Sequence, residues 1–249
     1  VMMADARRVA LSALFLLFAA ASVFGLEKPE QFAQVDFTYA FDQGYEGGTD
    51  MFSAEYGAFW KQTKLLAGVQ ANSDVCDFTV GGAFFPSLFN LESARKKFYF
   101  GVCGIYHFQR QGAIASENDF LLTGDFNLFC ECGFSFKFQF GYGFKGTKVD
   151  AVYDYVGFIW DKTFVISLDF QKEWGDGWEA HIRGASHSLY RYPLFVSPIY
   201  DFGLSKSFPD SYGNSFRVGG DFELRITDEF TTAPYINGVA LRLSVRYLF

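Results

Sequence analysis

Between Phe134 and Phe144 every second residue is a large aromatic: Phe134, Phe136, Phe138, Phe140, Tyr142 and Phe144. The residues between them are Ser135, Lys137, Gln139, Gly141 and Gly143, all small or polar. A period of two puts these two sets on opposite faces of an extended strand. The pattern recurs. Phe98, Phe100, Val102, Tyr106 and Phe108 oppose Lys97, Tyr99, Gly101, Cys103 and His107. Phe164, Ile166, Leu168 and Phe170 oppose Thr163, Ser167, Asp169 and Gln171. Phe216, Val218, Phe222, Leu224 and Ile226 oppose Arg217, Gly219, Asp221, Glu223 and Arg225. With 33 Phe and 14 Tyr among 249 residues, such faces would overfill the inside of any closed sheet. Turned outward they have unlimited room in lipid, and the polar face then lines a lumen. Volume therefore decides the polarity. The sequence predicts an all-β fold, a transmembrane antiparallel up-and-down β-barrel.

Thirteen segments alternate in this way, the less regular ones spanning 32–41, 50–60, 63–71, 76–85, 118–131, 149–160, 178–188 and 195–206. Bacterial single-chain barrels have even strand numbers, so one assignment must fail. The average span favours twelve strands. Fourteen follow if 186–213, interrupted by Pro193, Pro198 and Pro209, splits into two short strands. Trp60 to Thr63 and Trp160 to Thr163 read as short turns on the periplasmic side, each with a Trp beside charge. Asp42 to Asp50, Gln109 to Asn118, Lys145 to Lys148 and Trp174 to Trp178 read as outer loops.

The final segment, Val239 to Phe249, alternates to the last residue, with Val239, Leu241, Leu243, Val245, Tyr247 and Phe249 on one face. A soluble domain seldom ends in such a strand, because its free edge invites pairing with another chain. This ending resembles the C-terminal signature of bacterial outer-membrane β-barrels. The resemblance covers about ten residues. It implies a location in the cell outer membrane, contact with outer-membrane lipid, and recognition of the last strand by the outer-membrane assembly machinery.

Arg7 and Arg8 precede an uncharged run from Val9 to Leu26 that ends in small residues. A basic start, an apolar run and a small-residue exit describe a secretory signal peptide over residues 1–25, with the barrel domain over 26–249. A single membrane helix is the competing reading of that run. The net charge of −7 argues against a nucleic-acid partner. Cys76, Cys130 and Cys132 share the outward parity and Cys103 the inward one, which favours free thiols over disulfides. No His or Cys pair has zinc-ligand spacing, and no cofactor is implied.

Inward parity collects Asp36, Glu55, Asp77, Asp125, Asp169, Glu179, Asp221 and Glu223 against Lys137, His181, Arg183, Arg217, Arg225, Arg242 and Arg246. Of these, Lys137, Asp169, Arg183, Arg217, Asp221, Glu223, Arg225, Arg242 and Arg246 are the candidate solute-facing residues. The four arginines of the last two strands read either as a track for anionic solutes or as wall-stabilising salt bridges. Inner glycines, including Gly57, Gly81, Gly101, Gly141 and Gly143, are expected to keep a path open. No catalytic set stands out: Ser186 and His187 are adjacent and point to opposite faces of a strand. The leading functional expectation is a passive channel for small hydrophilic solutes, not an enzyme. A closed structural or surface-interaction barrel is the alternative.

Overall fold

The computed structural model describes residues 30–40, 50–60, 62–71, 75–93, 95–111, 115–149, 157–186, 199–225 and 238–249. Residues 1–25, read above as a signal peptide, lie outside them. Twelve strands follow one another along the chain: β1 (Glu30–Ala40), β2 (Asp50–Phe59), β3 (Thr63–Ala71), β4 (Val75–Phe84), β5 (Lys96–Gln111), β6 (Ala115–Cys130), β7 (Phe134–Val149), β8 (Gly157–Glu173), β9 (Trp178–Ala185), β10 (Ile199–Pro209), β11 (Ser215–Arg225) and β12 (Gly238–Leu248). Each is antiparallel to its neighbours in sequence, and β1 pairs with β12 from Phe32↔Leu248 to Ala40↔Ala240. The sheet is therefore a closed barrel. Phe249 extends the closure, its N–H donating to Gln31 O at 2.9 Å while Gln31 N–H donates back at 3.1 Å. Closure leaves no edge strand for a second chain to pair with.

The start of β1 and the end of β12 share one end of the barrel, called here the terminus end. The connections at Trp60–Thr63, 85–95, 131–133, 174–177 and 210–214 lie there too. The connections at the opposite end fall largely outside the described residues. At 85–95 the chain does more than turn. Leu91–Glu92 pair with Phe98 and Lys97 of β5 and prolong the sheet below the end of β4.

The outer face is apolar as the pattern requires. Phe52, Phe140, Tyr142, Phe164, Ile166, Phe202, Leu204, Phe222, Leu241 and Leu243 all lie 40 to 64 % exposed. Water against such a face costs about 25 cal/mol per Å² of apolar surface, a cost that hydrocarbon removes. The molecule is an integral membrane barrel of the outer-membrane type, with its lipid-facing and lumen-facing sets placed as the alternation demands.

Several local expectations are corrected. The strand expected at 149–160 does not exist separately; its described ends extend β7 and β8, which are 16 and 17 residues long. Lys145 to Lys148 and Trp160 to Thr163 are consequently strand, not loop or turn, with Lys145↔Asp161 and Gly143↔Thr163 paired. Charge at these positions mimics a turn. The outward series Lys162, Phe164, Ile166 is nevertheless unbroken, and Lys162 lays its Nζ over the Tyr142 ring at 4.7 Å. The Trp174–Trp178 connection joins β8 to β9 at the terminus end, so it is not an outer loop. Its Gly177 has φ 75°, a conformation that favours glycine, and its Asp176 has φ 63°. Cys132 sits in the β6–β7 turn rather than on a strand face, and all four cysteines are free.

Candidate lumen site

Inside the wall, the twelve strands present a polar face of very uneven bulk. On β4 to β6, together with Val165 of β8, it is filled. Ala83, Cys103, Ile105, Leu121 and Val165 form one buried cluster, with Phe85 packed against it. Above it His107 lies between two carboxylates, its Nδ1 3.2 Å from Asp119 Oδ2 and its Nε2 3.7 Å from Asp77 Oδ2. Gln70 Nε2 donates to the same Asp77 oxygen at 2.5 Å. The His107, Asp77 and Asp119 side chains are at most 1 % exposed, so this network is part of the packing.

On the other sector, β9 to β12 with β1 and β2, the inner face holds Gly203, Gly219, Ser53, Ser205 and Ser244 between long charged side chains. A cavity of about 600 Å³ opens against this sector and reaches across to β3, β6 and β7. At the terminus end it is bounded by strand-end residues Phe59, Trp60, Phe85 and Phe129. Seven carboxylates (Asp36, Glu55, Asp125, Asp169, Glu179, Asp201, Asp221) line it against six Lys and Arg (Lys64, Lys137, Arg183, Arg217, Arg242, Arg246), together with His181.

Most of these charges are paired, and the ladder explains why. Asp221 lies directly across from Arg242, and Arg242 Nε donates to its Oδ2 at 2.6 Å. Gly203 lies between Asp221 and His181 in the same row across β9, β10 and β11. Lacking a Cβ, it lets His181 Nε2 come within 3.5 Å of Asp221 Oδ1 above its backbone. Both carboxylate oxygens of Asp221 are thus engaged. Arg183 and Asp201 form another cross-strand pair at 3.9 Å, and Lys137 and Asp169 a third at 3.8 Å. Arg217 crosses two strands, donating from Nε to Ser207 Oγ at 3.0 Å and from Nη1 to both Glu179 oxygens at 2.9 Å. Asp36 accepts from Gln34 and Ser53, and Asp125 from Thr123 and Gln139. Partly buried pairs such as these are costly to break singly, because the stranded charge remains in the wall.

Lys137, Asp169, Arg183, Arg217, Asp221, Arg242 and Arg246 line the cavity. Glu223 also points inward but is buried at 2 % exposure above it. Arg225 closes β11 opposite Gly238, and its side chain lies outside the described residues. Lys64 and Asp201 line the cavity as well and were not singled out by alternation. Of the histidines, His187 lies outside the described residues. Ser186 Oγ accepts from Ile166 N and is engaged with the backbone rather than with a base.

The expected role of the glycines needs correction. The space a side chain would take at Gly57 is filled by Phe32, at Gly81 by Ile105, at Gly101 by Phe85, and at Gly141 by the backbone of Leu122 and Thr123. These glycines admit neighbouring groups to the interior. They do not leave it open.

No family model matches the chain, and no curated protein matches it in sequence. Its fold is similar to that of solved outer-membrane barrels. The translocator domain of the autotransporter NalP from Neisseria meningitidis aligns over 98 % of both chains at 12 % identity with a TM-score of 0.44. Outer membrane phospholipase A from Escherichia coli aligns over 91 % of this chain and 92 % of its own at 12 % identity and a TM-score of 0.44. The KdgM porin, solved with disordered oligogalacturonate, aligns over 87 % of this chain and 99 % of its own at 9 % identity and a TM-score of 0.44. The likeness is one of barrel architecture.

Proposed function

We propose that this barrel resides in a bacterial outer membrane, delivered by a leader at 1–25 and the assembly machinery, and gives small hydrophilic solutes a passive path. One observation carries the reading: the cavity of about 600 Å³ runs along a wall of small residues and paired charges. Such a wall solvates a polar solute with both donors and acceptors, while its near balance of sign presents no large barrier to either ion. Movement along it needs no cofactor. Candidate solute-facing residues are those of the open sector, with Arg183, Arg217 and Arg242 held in place by their carboxylates. Because these arginines are neutralised at close range, they act as hydrogen-bond donors along the wall more than as a cationic track.

A second reading is favoured by one specific feature. Farther from the terminus end than the cavity, Leu121, Val165, Ala185, Ile199, Glu223 and Ala240 form an inner layer, each 7 % exposed or less. If that layer is permanent, the barrel is closed and its role is structural or at the surface. Single-channel recording from the refolded chain in planar bilayers separates the two. Discrete conductance steps are the expected outcome of the path. A barrel that shows heat-modifiable gel mobility and inserts, yet never conducts, would sink it in favour of the closed form.

A further inference from the structure

Ion pairs engage most of the lumen's charges, and among the described residues two of its cations near one end have no carboxylate partner. Arg183, Arg217 and Arg242 have carboxylates at 3.9, 2.9 and 2.6 Å. Among the described residues, Arg246 and Lys64 have none in ion-pair reach. Arg246 instead donates from Nε to the neutral amide oxygen of Gln34 at 2.5 Å and lies over the Phe32 ring at 4.6 Å. Lys64 Nζ stands 5.3 Å from the Phe59 ring, which itself stacks on Phe32 at 5.5 Å. One aromatic pair therefore supports both cations without neutralising them. Lys137 is the third: its pair with Asp169 is long, 3.8 Å, and its side chain is 38 % exposed, more than those of Arg183, Arg217 and Arg242.

These three cations belong together. They line the same cavity, and the charges of Lys64 and Arg246 both act on Lys137. They lie one, three and two residues in from Thr63, Phe134 and Leu248, strand ends that all sit at the terminus end of the barrel. Asp36, Asp201 and Asp221 lie six or more residues in from that end. Among the described residues, Glu55 is the carboxylate that faces Arg246 and Lys64 while making no hydrogen bond or ion pair of its own. Asp125, also close to Lys64, is already held by Thr123 and Gln139.

We infer that Lys64, Lys137 and Arg246 form a binding site for a carboxylate or phosphoryl group on a small solute, at the terminus end of the cavity. An Arg fork and two Lys ammoniums on separate walls supply directed and adjustable donors to such an oxyanion. Of the carboxylates near them, Asp169 is taken by Lys137 and Glu179 by Arg217, so Lys64 and Arg246 keep donors for a solute oxyanion, with Glu55 as the competing acceptor. The inference deepens the solute-path reading, but binding itself does not require conduction.

The test is calorimetric titration of the refolded full chain with inorganic phosphate, glucuronate and glucose. Binding of either anion at least about tenfold tighter than glucose is expected, and which anion binds identifies the recognised group. Lys64→Gln or Arg246→Gln should weaken that binding about three- to tenfold, as removal of one partly solvated charge does. Glu55→Gln should strengthen it by a similar factor, a gain that misfolding cannot imitate. Glucuronate and glucose binding alike with phosphate not bound, or Glu55→Gln leaving anion affinity unchanged, overturns the site. A barrel that binds anions without conducting refutes the path and leaves the site standing; a conducting barrel without anion preference does the reverse.

Discussion

The two sectors of the lumen wall share one alternation pattern and differ only in what stands at the inward positions. On β4 to β6 the inward residues include Ile105, His107, Gln109, Leu121 and Asp119, and these fill the interior until none is more than 5 % exposed. On β9 to β12 they include Gly203, Gly219, Ser205 and Ser244, and the space so left is crossed by Arg–carboxylate pairs. Alternation specifies which way a side chain faces. The summed volume of the inward set decides whether the barrel there is a core or a cavity wall. The same contrast sets the energetics: dispersion and area burial hold the packed sector, while the open one depends on charges that must remain paired.

The largest expected effect breaks the open sector at its narrowest joint. Gly203→Val sets new methyl groups where His181 and Asp221 meet, and so parts the two and displaces Asp221 from Arg242. Overpacking and a stranded charge together should cost about 4 kcal/mol in urea unfolding of the refolded barrel. Tolerance of that change would mean that the charged row does not hold this wall. Leu121→Ala probes the packed sector, and a fully buried leucine there should cost about 3 kcal/mol. Ser205→Ala, on the open wall, should stay within about 0.5 kcal/mol. Equal losses at 121 and 205 would erase the distinction between sectors.

The smallest effect lies outside the membrane, in the β10–β11 turn. Partial dehydration raises the Asp210 carboxyl, but hydrogen bonds from Tyr212 N–H, Asn214 N–H, the Tyr247 hydroxyl and the Asn214 amide outweigh it and hold the group below its ordinary 3.8. A depressed folded-state value adds stability above the unfolded value, and that stability is lost as pH falls through the folded one. Relative to Asp210→Asn, the wild type should therefore keep a small advantage above about pH 4 that shrinks on further acidification. Thermal transitions followed at stepped pH read this directly, and a gap that does not change with pH would contradict it.

How much of this was legible in the chain follows from the range of each signal. Face assignment is local, so Phe134 to Phe144 alone shows which side meets lipid, and twelve strands follow from span and parity. Strand ends are less legible. Lys145, Asp161 and Lys162 look like turn residues, yet their backbone pairs within β7 and β8, where Lys162 lies over the Tyr142 ring. Lys64 was hidden for a different reason. The stretch Leu65-Leu66-Ala67 places apolar residues on both faces, so β3 shows no clean alternation from which to read its neighbour. Asp201 does alternate, between Ile199 and Gly203, but Pro198 blurs the segment's start. Which arginines are neutralised is set by register, which alternation alone leaves open between Asp221 and Glu223 as the residue opposite Arg242, and the ladder selects Asp221.

Whether the open sector is the water path is tested most directly by charge modification from inside the lumen. In a background with the four native cysteines replaced, Ser244→Cys places a thiol on the open wall and Thr123→Cys one in the packed sector. Single-channel current is recorded before and after a cationic methanethiosulfonate reagent is added. The expected result is a stepwise fall in conductance for Ser244→Cys and no change for Thr123→Cys. Equal modification at both positions, or current untouched by reaction at 244, would show that solute does not pass along this wall.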